Sequence, residues 1–201
     1  MRLREDQKII ADWIAPGSRV LDLGCGDGSL LKSLHQERHV TGYGIEIDGA
    51  NIVECIRNGV NVIHSDLDAG LAEFDDQSFD YVIMTETLQA TRYPNLLVDE
   101  MLRIGQEGIV TFPNMGHWSS RLQFMFGKMP VTEHLPDTWF ETPNIHMCTI
   151  RDFEKLCSAQ GVEILHRAAL DTEHRASIRT RMLPNLLAEL AIYRIRRIGT
   201  A

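Results

Sequence analysis

The sequence predicts an α/β fold: a doubly wound, mostly parallel sheet with helices on both faces. Three observations predict it. Short apolar runs alternate with amphipathic segments through the first half of the chain, the order that builds βαβ units. Residues 20–28 read Val-Leu-Asp-Leu-Gly-Cys-Gly-Asp-Gly, a strand that stops at a glycine turn and opens a helix. There the backbone turns sharply, and a ligand can approach without meeting a Cβ. A second apolar run, residues 40–46, then ends in Glu46, which brings a carboxylate beside the glycine turn.

Each element follows from local pattern. Residues 4–14 form an amphipathic helix with Ile9, Ile10, Trp13 and Ile14 on its apolar side, ended by Pro16-Gly17. Strand 19–23 leads through the glycines to a helix over 28–36 that buries Leu30, Leu31 and Leu34. Strand 40–46 precedes a helix over 49–58, which Asn58-Gly59 closes. Residues 60–64 and 79–85 are strands. Residues 94–104 are helical with Leu96, Leu97, Met101 and Leu102 turned inward. Residues 108–112 are a strand that Pro113 terminates. The alternation breaks at 113–148, a segment with Pro113, Pro130, Pro136, Pro143, Trp118 and Trp139. It is too apolar for a solvated linker and reads as an ordered lid over the carboxyl ends of the strands, where such sheets bind ligands. A helix over 149–160, stopped by Gly161, and a strand over 162–170 follow. The tail, 182–198, fits a helix and a strand equally well by periodicity.

At 201 residues the chain reads as one domain, 1–201, with the lid as an embellishment. Hydrophobic content of 44% suits a globular protein. A net charge of −8 weighs against a general nucleic-acid binder, which needs a basic face. Cys25, Cys55, Cys148 and Cys157 form no Cys-x-x-Cys pair and no zinc-ligand spacing, so reduced thiols and a cytoplasmic setting are expected, with no metal. The start Met-Arg-Leu-Arg-Glu-Asp lacks the apolar core of a signal peptide, and no run approaches a membrane span.

The glycine turn carries Asp22 before it and Asp27 within it. Two carboxylates there would repel a pyrophosphate and suit a ligand with an ammonium and a sulfonium. At these residues the chain resembles class I S-adenosylmethionine-dependent methyltransferases, which have a Rossmann-like sheet with an antiparallel C-terminal strand. The resemblance implies that Asp22, Gly24, Cys25 and Gly26 wrap the methionine end and that Glu46 holds the ribose, with Ile47 beside it. It implies that Asp66 bonds the adenine amine while the Leu67 backbone meets a ring nitrogen, and that Thr85 or Glu86, after the fourth strand, lies beneath the methionine. S-adenosylmethionine, or S-adenosylhomocysteine, is the expected ligand. The same template resolves the tail into a short helix and a strand over 189–197.

The acceptor side is less marked. Methyl transfer is an in-line displacement in which positioning can supply much of the rate, and a base is needed only if the acceptor must lose a proton. The chain has Thr-Glu-Thr-Leu after strand four, not the Asn/Asp-Pro-Pro-Tyr motif of amino-group methyltransferases that act on nucleic acid or glutamine. Tyr93, His117, Glu133, His134, Glu141 and His146 are candidate acids and bases, each first read as a packing or hydrogen-bonding residue, and no catalytic residue is assigned. Residues 175–181 together with Arg194, Arg196 and Arg197 form a basic zone, either a solvated surface or a docking face for an acidic partner.

The lid narrows the resemblance. Phe112-Pro-Asn-Met-Gly-His-Trp118, Leu135-Pro-Asp-Thr-Trp139, Thr142-Pro-Asn-Ile-His146 and Thr149-Ile-Arg-Asp-Phe153 are similar to the MetW family of bacterial methionine-biosynthesis proteins, over almost the whole chain. The resemblance implies a methyltransferase fold working as a partner of homoserine O-acyltransferase, succinyl or acetyl, and implies no particular methyl acceptor. Two expectations follow: a subunit that docks on the acyltransferase and binds S-adenosylmethionine, or a methyltransferase for a small molecule enclosed by the lid.

Overall fold

The computed structural model describes residues 4–172 and 175–199. Met1–Leu3, on which the reading of the N-terminus partly rested, and the outer ends of the expected 1–201 domain lie outside the described residues. Helix α1 (Glu5–Trp13) precedes β1 (Arg19–Leu23), α2 (Ser29–Arg38), β2 (Thr41–Glu46), α3 (Gly49–Arg57) and β3 (Val62–His64). The chain continues through β4 (Phe79–Thr85), α4 (Pro94–Ile104), β5 (Gly105–Pro113) and α5 (Trp118–Met125). It ends with α6 (Ile150–Ala159), β6 (Val162–Leu170), the short α7 (Ile178–Met182) and α8 (Pro184–Leu187), and β7 (Leu190–Arg197).

The strands form one seven-stranded sheet in the order β3-β2-β1-β4-β5-β7-β6. β1 to β5 pair in parallel, whereas β7 runs antiparallel to both β5 and β6. Strand order reverses between β1 and β4, so the loops after β1, β2 and β4 open toward one crevice, the place where open α/β sheets take their ligands.

Pleating divides each strand between two cores. Leu21, Val82, Met84, Val110 and Phe112 face Val98, Met101 and Leu102 of α4 and Phe153 of α6. Val20, Tyr81, Ile83 and Ile109 face Ile10 of α1 and Leu30, Leu31 and Leu34 of α2. Both faces are thus covered, which is why the strands read as continuous apolar runs rather than as alternation. Tyr193 of β7 is fully buried between Phe112, whose ring is parallel to it, and Phe153, and its hydroxyl donates to Glu154 at 2.9 Å.

Differences from the sequence reading are local. β5 begins at Gly105, directly at the end of α4, because that residue has no side chain to meet Val82 (a Cβ would lie 2.5 Å from it). β3 is shorter than the apolar run that predicted it. The 113–148 segment contains a helix, α5, that no periodicity announced: its buried residue is Ser120, so its apolar side chains do not mark an inward face. The tail contains two helical turns before β7 rather than one.

Candidate functional site

The turn after β1 is tied to the end of β2. The Gly24 and Cys25 amides both donate to the Ile45 carbonyl, at 2.9 and 3.0 Å. Gly24 and Gly26 hold φ of 75° and 55°, a region that costs other residues strain. Gly24 sits against Thr87, where a Cβ would come within 2.5 Å of its hydroxyl, whereas nothing lies within 4 Å of a Cβ at Gly26. One glycine permits close packing and the other keeps a wall open.

Glu46 joins the two loops. It is 7% exposed. Its Oε2 accepts from the Gly26 amide at 2.8 Å, and its Oε1 accepts from the Ile47 and Asp48 amides, both at 2.9 Å. A carboxylate has about four lone-pair sites, so one direction stays open toward the crevice.

The crevice is a cavity of about 710 Å³ lined by Gly24, Gly26, Glu46, Ile47, Asp66 and Leu67, with Asn51, Ser65, Asp68, Glu86, Thr87 and Arg92 completing its polar wall. Pro143 and Ile145 of the 113–148 segment add an apolar side. That segment is fixed there because the Ile145 and His146 amides both donate to the Gln89 carbonyl, at 2.9 and 3.0 Å. Asp66 caps the short helical turn Leu67–Ala69 by accepting from the Asp68 amide at 2.9 Å. Asp68 in turn accepts from the Arg92 amide at 2.8 Å. The volume lies within the range of about 300–1,000 Å³ typical of small-molecule sites.

Six of the nine candidate residues therefore line one cavity, and three do not. Asp22 is 1% exposed, beneath the turn, with an Oδ1 that has no hydrogen-bond partner. Cys25 turns its thiol inward, 3.7 Å from the Cys55 sulfur and under Gly44, where a Cβ would collide with it. Thr85 is beside the cavity rather than on its wall, its carbonyl accepting from the Thr87 hydroxyl at 3.0 Å. The reasons differ: Asp22 and Thr85 lie within strands covered on both faces, whereas Cys25, past the end of β1, turns its thiol back into the core beside Leu30 and Leu31.

Burial, and then the neighbouring Glu46 charge, push the Asp22 carboxyl from an ordinary 3.8 up to about 7. Between those values the folded chain holds a proton that the unfolded chain has released, so this group costs stability as pH rises through that window. Asp22→Asn should therefore gain stability on the wild type from about pH 5 to about pH 8, by on the order of 1–3 kcal/mol. Thermal denaturation at the two pH values checks it; parallel curves would rule it out.

Glu86 follows β4 with φ of 53°, unusual for a residue with a side chain. It is held by its amide, which donates to the Thr111 carbonyl at 3.1 Å and hydroxyl at 3.0 Å. Its carboxylate meets Arg4 of the segment leading into α1 at 3.4 Å and His134 at 3.3 Å. Burial lowers the His134 pKa, but the Glu86 contact together with the charges of Glu189 and Asp6 outweighs it, and the net direction is upward. Among the other candidate acids and bases, His117 is buried, its Nδ1 is 2.7 Å from the Ser119 hydroxyl, and burial lowers its pKa. His146 meets the Arg92 carbonyl and Glu141 the Thr138 hydroxyl. Tyr93 and Glu133 are exposed. None of the six lines the cavity; His134 and His146 each contact a residue that does, Glu86 and Arg92. Arg4, Thr87 and Arg92 were missed by the sequence reading, and nothing in their local pattern could have found them. Among the described residues no group of His, Cys, Asp and Glu is placed to hold a metal ion, and no helix is long and apolar enough to cross a membrane.

The sheet order, the antiparallel β7 and the crevice beyond β1 and β4 define a Rossmann-like class I methyltransferase fold. Solved structures agree. An S-adenosylmethionine-dependent methyltransferase from Mesorhizobium loti superposes with a TM-score of 0.71 at 16% identity, over 96% of this chain and 98% of that one. A possible histamine N-methyltransferase from Thermotoga maritima gives 0.69 at 15% identity, over 96% and 88%. Within that class the chain belongs to the MetW family: the family model described as methionine biosynthesis protein MetW matches residues 4–195. A curated relative, the bifunctional methionine biosynthesis protein MetXA/MetW of Rhodopirellula baltica, is 34% identical over 200 residues, covering 94% of this chain and 32% of that protein. The chain thus spans about a third of that relative's length.

Proposed function

We propose that this chain is a partner subunit of homoserine O-acyltransferase, succinyl or acetyl, and that it binds S-adenosylmethionine or S-adenosylhomocysteine in the cavity beside Glu46. The observation that carries the partnership is the relative in which MetXA and MetW make up one bifunctional protein. We read its MetXA portion as the acyltransferase, so that fusion supplies in one chain what association supplies in two.

Ligand binding has its own support. The open wall at Gly26 leaves room for a ligand against the backbone. The open lone-pair direction of Glu46 suits ribose hydroxyls, and Asp66 with the Leu67 amide suits an adenine edge. The carboxylate-rich wall, with Glu46, Asp66, Asp68 and Glu86, favours a ligand with positive charge. These residues fit the group: Glu46 and Asp66 would hold its nucleoside and the glycine turn its methionine end. When bound it supplies an activated methyl group. A second reading, methylation of a small molecule, draws on Glu86, which lines the cavity, and on His134, which contacts it from behind at 3.3 Å.

Acyl transfer to homoserine, assayed with and without this protein and each with and without S-adenosylmethionine, tests the first reading. The expected result is stimulation by the protein and a further change with the ligand, because linkage between the two sites is reciprocal. No effect on a verified acyltransferase from the same organism overturns the partner role and favours a search for a methyl acceptor.

A further inference from the structure

Helix α5 is built inside out. Its buried residue is Ser120, whereas Trp118, Leu122 and Met125, spaced to share one helical face, are 51%, 42% and 81% exposed. Phe126 continues the apolar side at 73%. A surface helix ordinarily turns such a stripe toward the core, and soluble monomers rarely leave large contiguous apolar patches open. A second exposed apolar pair, Ile178 and Met182, lies on α7, which leads directly into α8. The α5 region packs on α8: the Arg121 guanidinium donates to the Asn185 carbonyl at 3.4 Å, and Gly116 lies against the same residue. No residue of α5 or α7 lines the cavity beside Glu46, so a ligand there leaves both helices uncovered.

Charge says what kind of partner fits. Residues 113–132 and 175–188 contain no Asp or Glu, yet they include Arg121, Lys128, Arg179 and Arg181, in a chain whose net charge is −8. Part of the basic zone seen in the sequence therefore lies on α7. Of the rest, Arg194, Arg196 and Arg197 are paired with Glu107, Glu163 and Asp99. An apolar surface rimmed by cations suits an apolar surface rimmed by carboxylates. A second copy of this chain would set the same cationic rim against itself, since a two-fold interface joins identical patches, and like charges facing each other oppose that pairing.

We propose that the exposed face of α5, continued by α7, is the surface on which the acyltransferase docks, through an apolar patch of that enzyme bordered by acidic residues. This rests on the partnership proposed above. The test titrates the purified chain with purified homoserine acyltransferase from the same organism by calorimetry, with sedimentation of each alone. Two double variants are compared: Leu122→Asp with Met125→Asp, and Arg179→Glu with Arg181→Glu. All four side chains are exposed, and circular dichroism checks the fold. The expected result is that the wild type binds and the first variant weakens binding at least about thirtyfold. The second weakens it less, with a smaller loss at high salt. Equal binding by wild type and both variants overturns the surface while leaving the partnership standing. No binding by the wild type overturns the partnership and this occupant together. A wild-type dimer that the aspartate variant dissolves overturns the proposal in favour of a second copy.

Discussion

Glu46→Ala is expected to weaken S-adenosylmethionine binding by about a hundredfold and to lower stability by on the order of 1–3 kcal/mol. Two effects are combined, and their sizes differ. At the proposed site the binding loss would come from charge-assisted hydrogen bonds to a ribose, each of about 1.5–3 kcal/mol. The stability loss reflects the three amides of Gly26, Ile47 and Asp48 that the carboxylate now satisfies. Glu46→Gln does not rescue it: one amide oxygen can still serve two N–H groups, but the side-chain NH₂ then faces a third donor. Gly26→Val separates the two effects. Its Cβ meets open cavity rather than protein, so it fills ligand space, with added strain from a positive φ. Calorimetry with the ligand and denaturation without it measure both for each variant. Ligand affinity within about twofold of wild type in both variants would remove Glu46 and the glycine turn from the site.

How much of this was legible in the sequence depends on how local the cause is. The glycine turn, Glu46 and Asp66 could be read because strand, turn and helix start are set by neighbours in the chain, and all three reach the cavity wall. Asp22 and Cys25, which the resemblance sets around the methionine end, do not line the cavity; Asp22 is on a strand buried on both faces, which gives no alternation to tell crevice from core, and the Cys25 thiol turns toward Cys55. β7 was ambiguous for a similar reason: Leu190, Ala191, Ile192 and Tyr193 are all buried, so no period distinguishes strand from helix, and only pairing with β5 and β6 decides it. Glu86 stood out as a strand-end residue, but its partners Arg4 and His134 lie 82 and 48 positions away. No local pattern predicts such a meeting. α5 escaped because sequence reading assumes that apolar side chains point inward.

Asn114→Ala should destabilise the fold by about 3–4 kcal/mol, the cost expected for a buried polar network rather than for lost volume. Asn114 is 2% exposed. Its Oδ1 accepts from the amides of Gly116 and Ile150 at 3.0 and 3.2 Å, and its Nδ2 donates to the Ala188 carbonyl at 2.8 Å and, less closely, to Asn185 and Pro184. One side chain therefore ties the end of β5 to the start of α6 and to the turn that delivers β7 between β5 and β6. This explains the position of Asn114 in the Phe112–Trp118 motif as architecture rather than chemistry. It also links the fold to the proposed docking face, since Gly116 and Asn185 carry α5. Asn114→Leu keeps the branched outline of the side chain, with bulkier ends, and removes every polar contact; Asn114→Asp keeps the acceptor but sets a carboxylate against the Ala188 carbonyl. If hydrogen bonding dominates, urea denaturation will find all three variants destabilised, with leucine no better than alanine. Recovery by leucine would assign the effect to packing, and a loss below about 1 kcal/mol in alanine would deny the residue its bridging role.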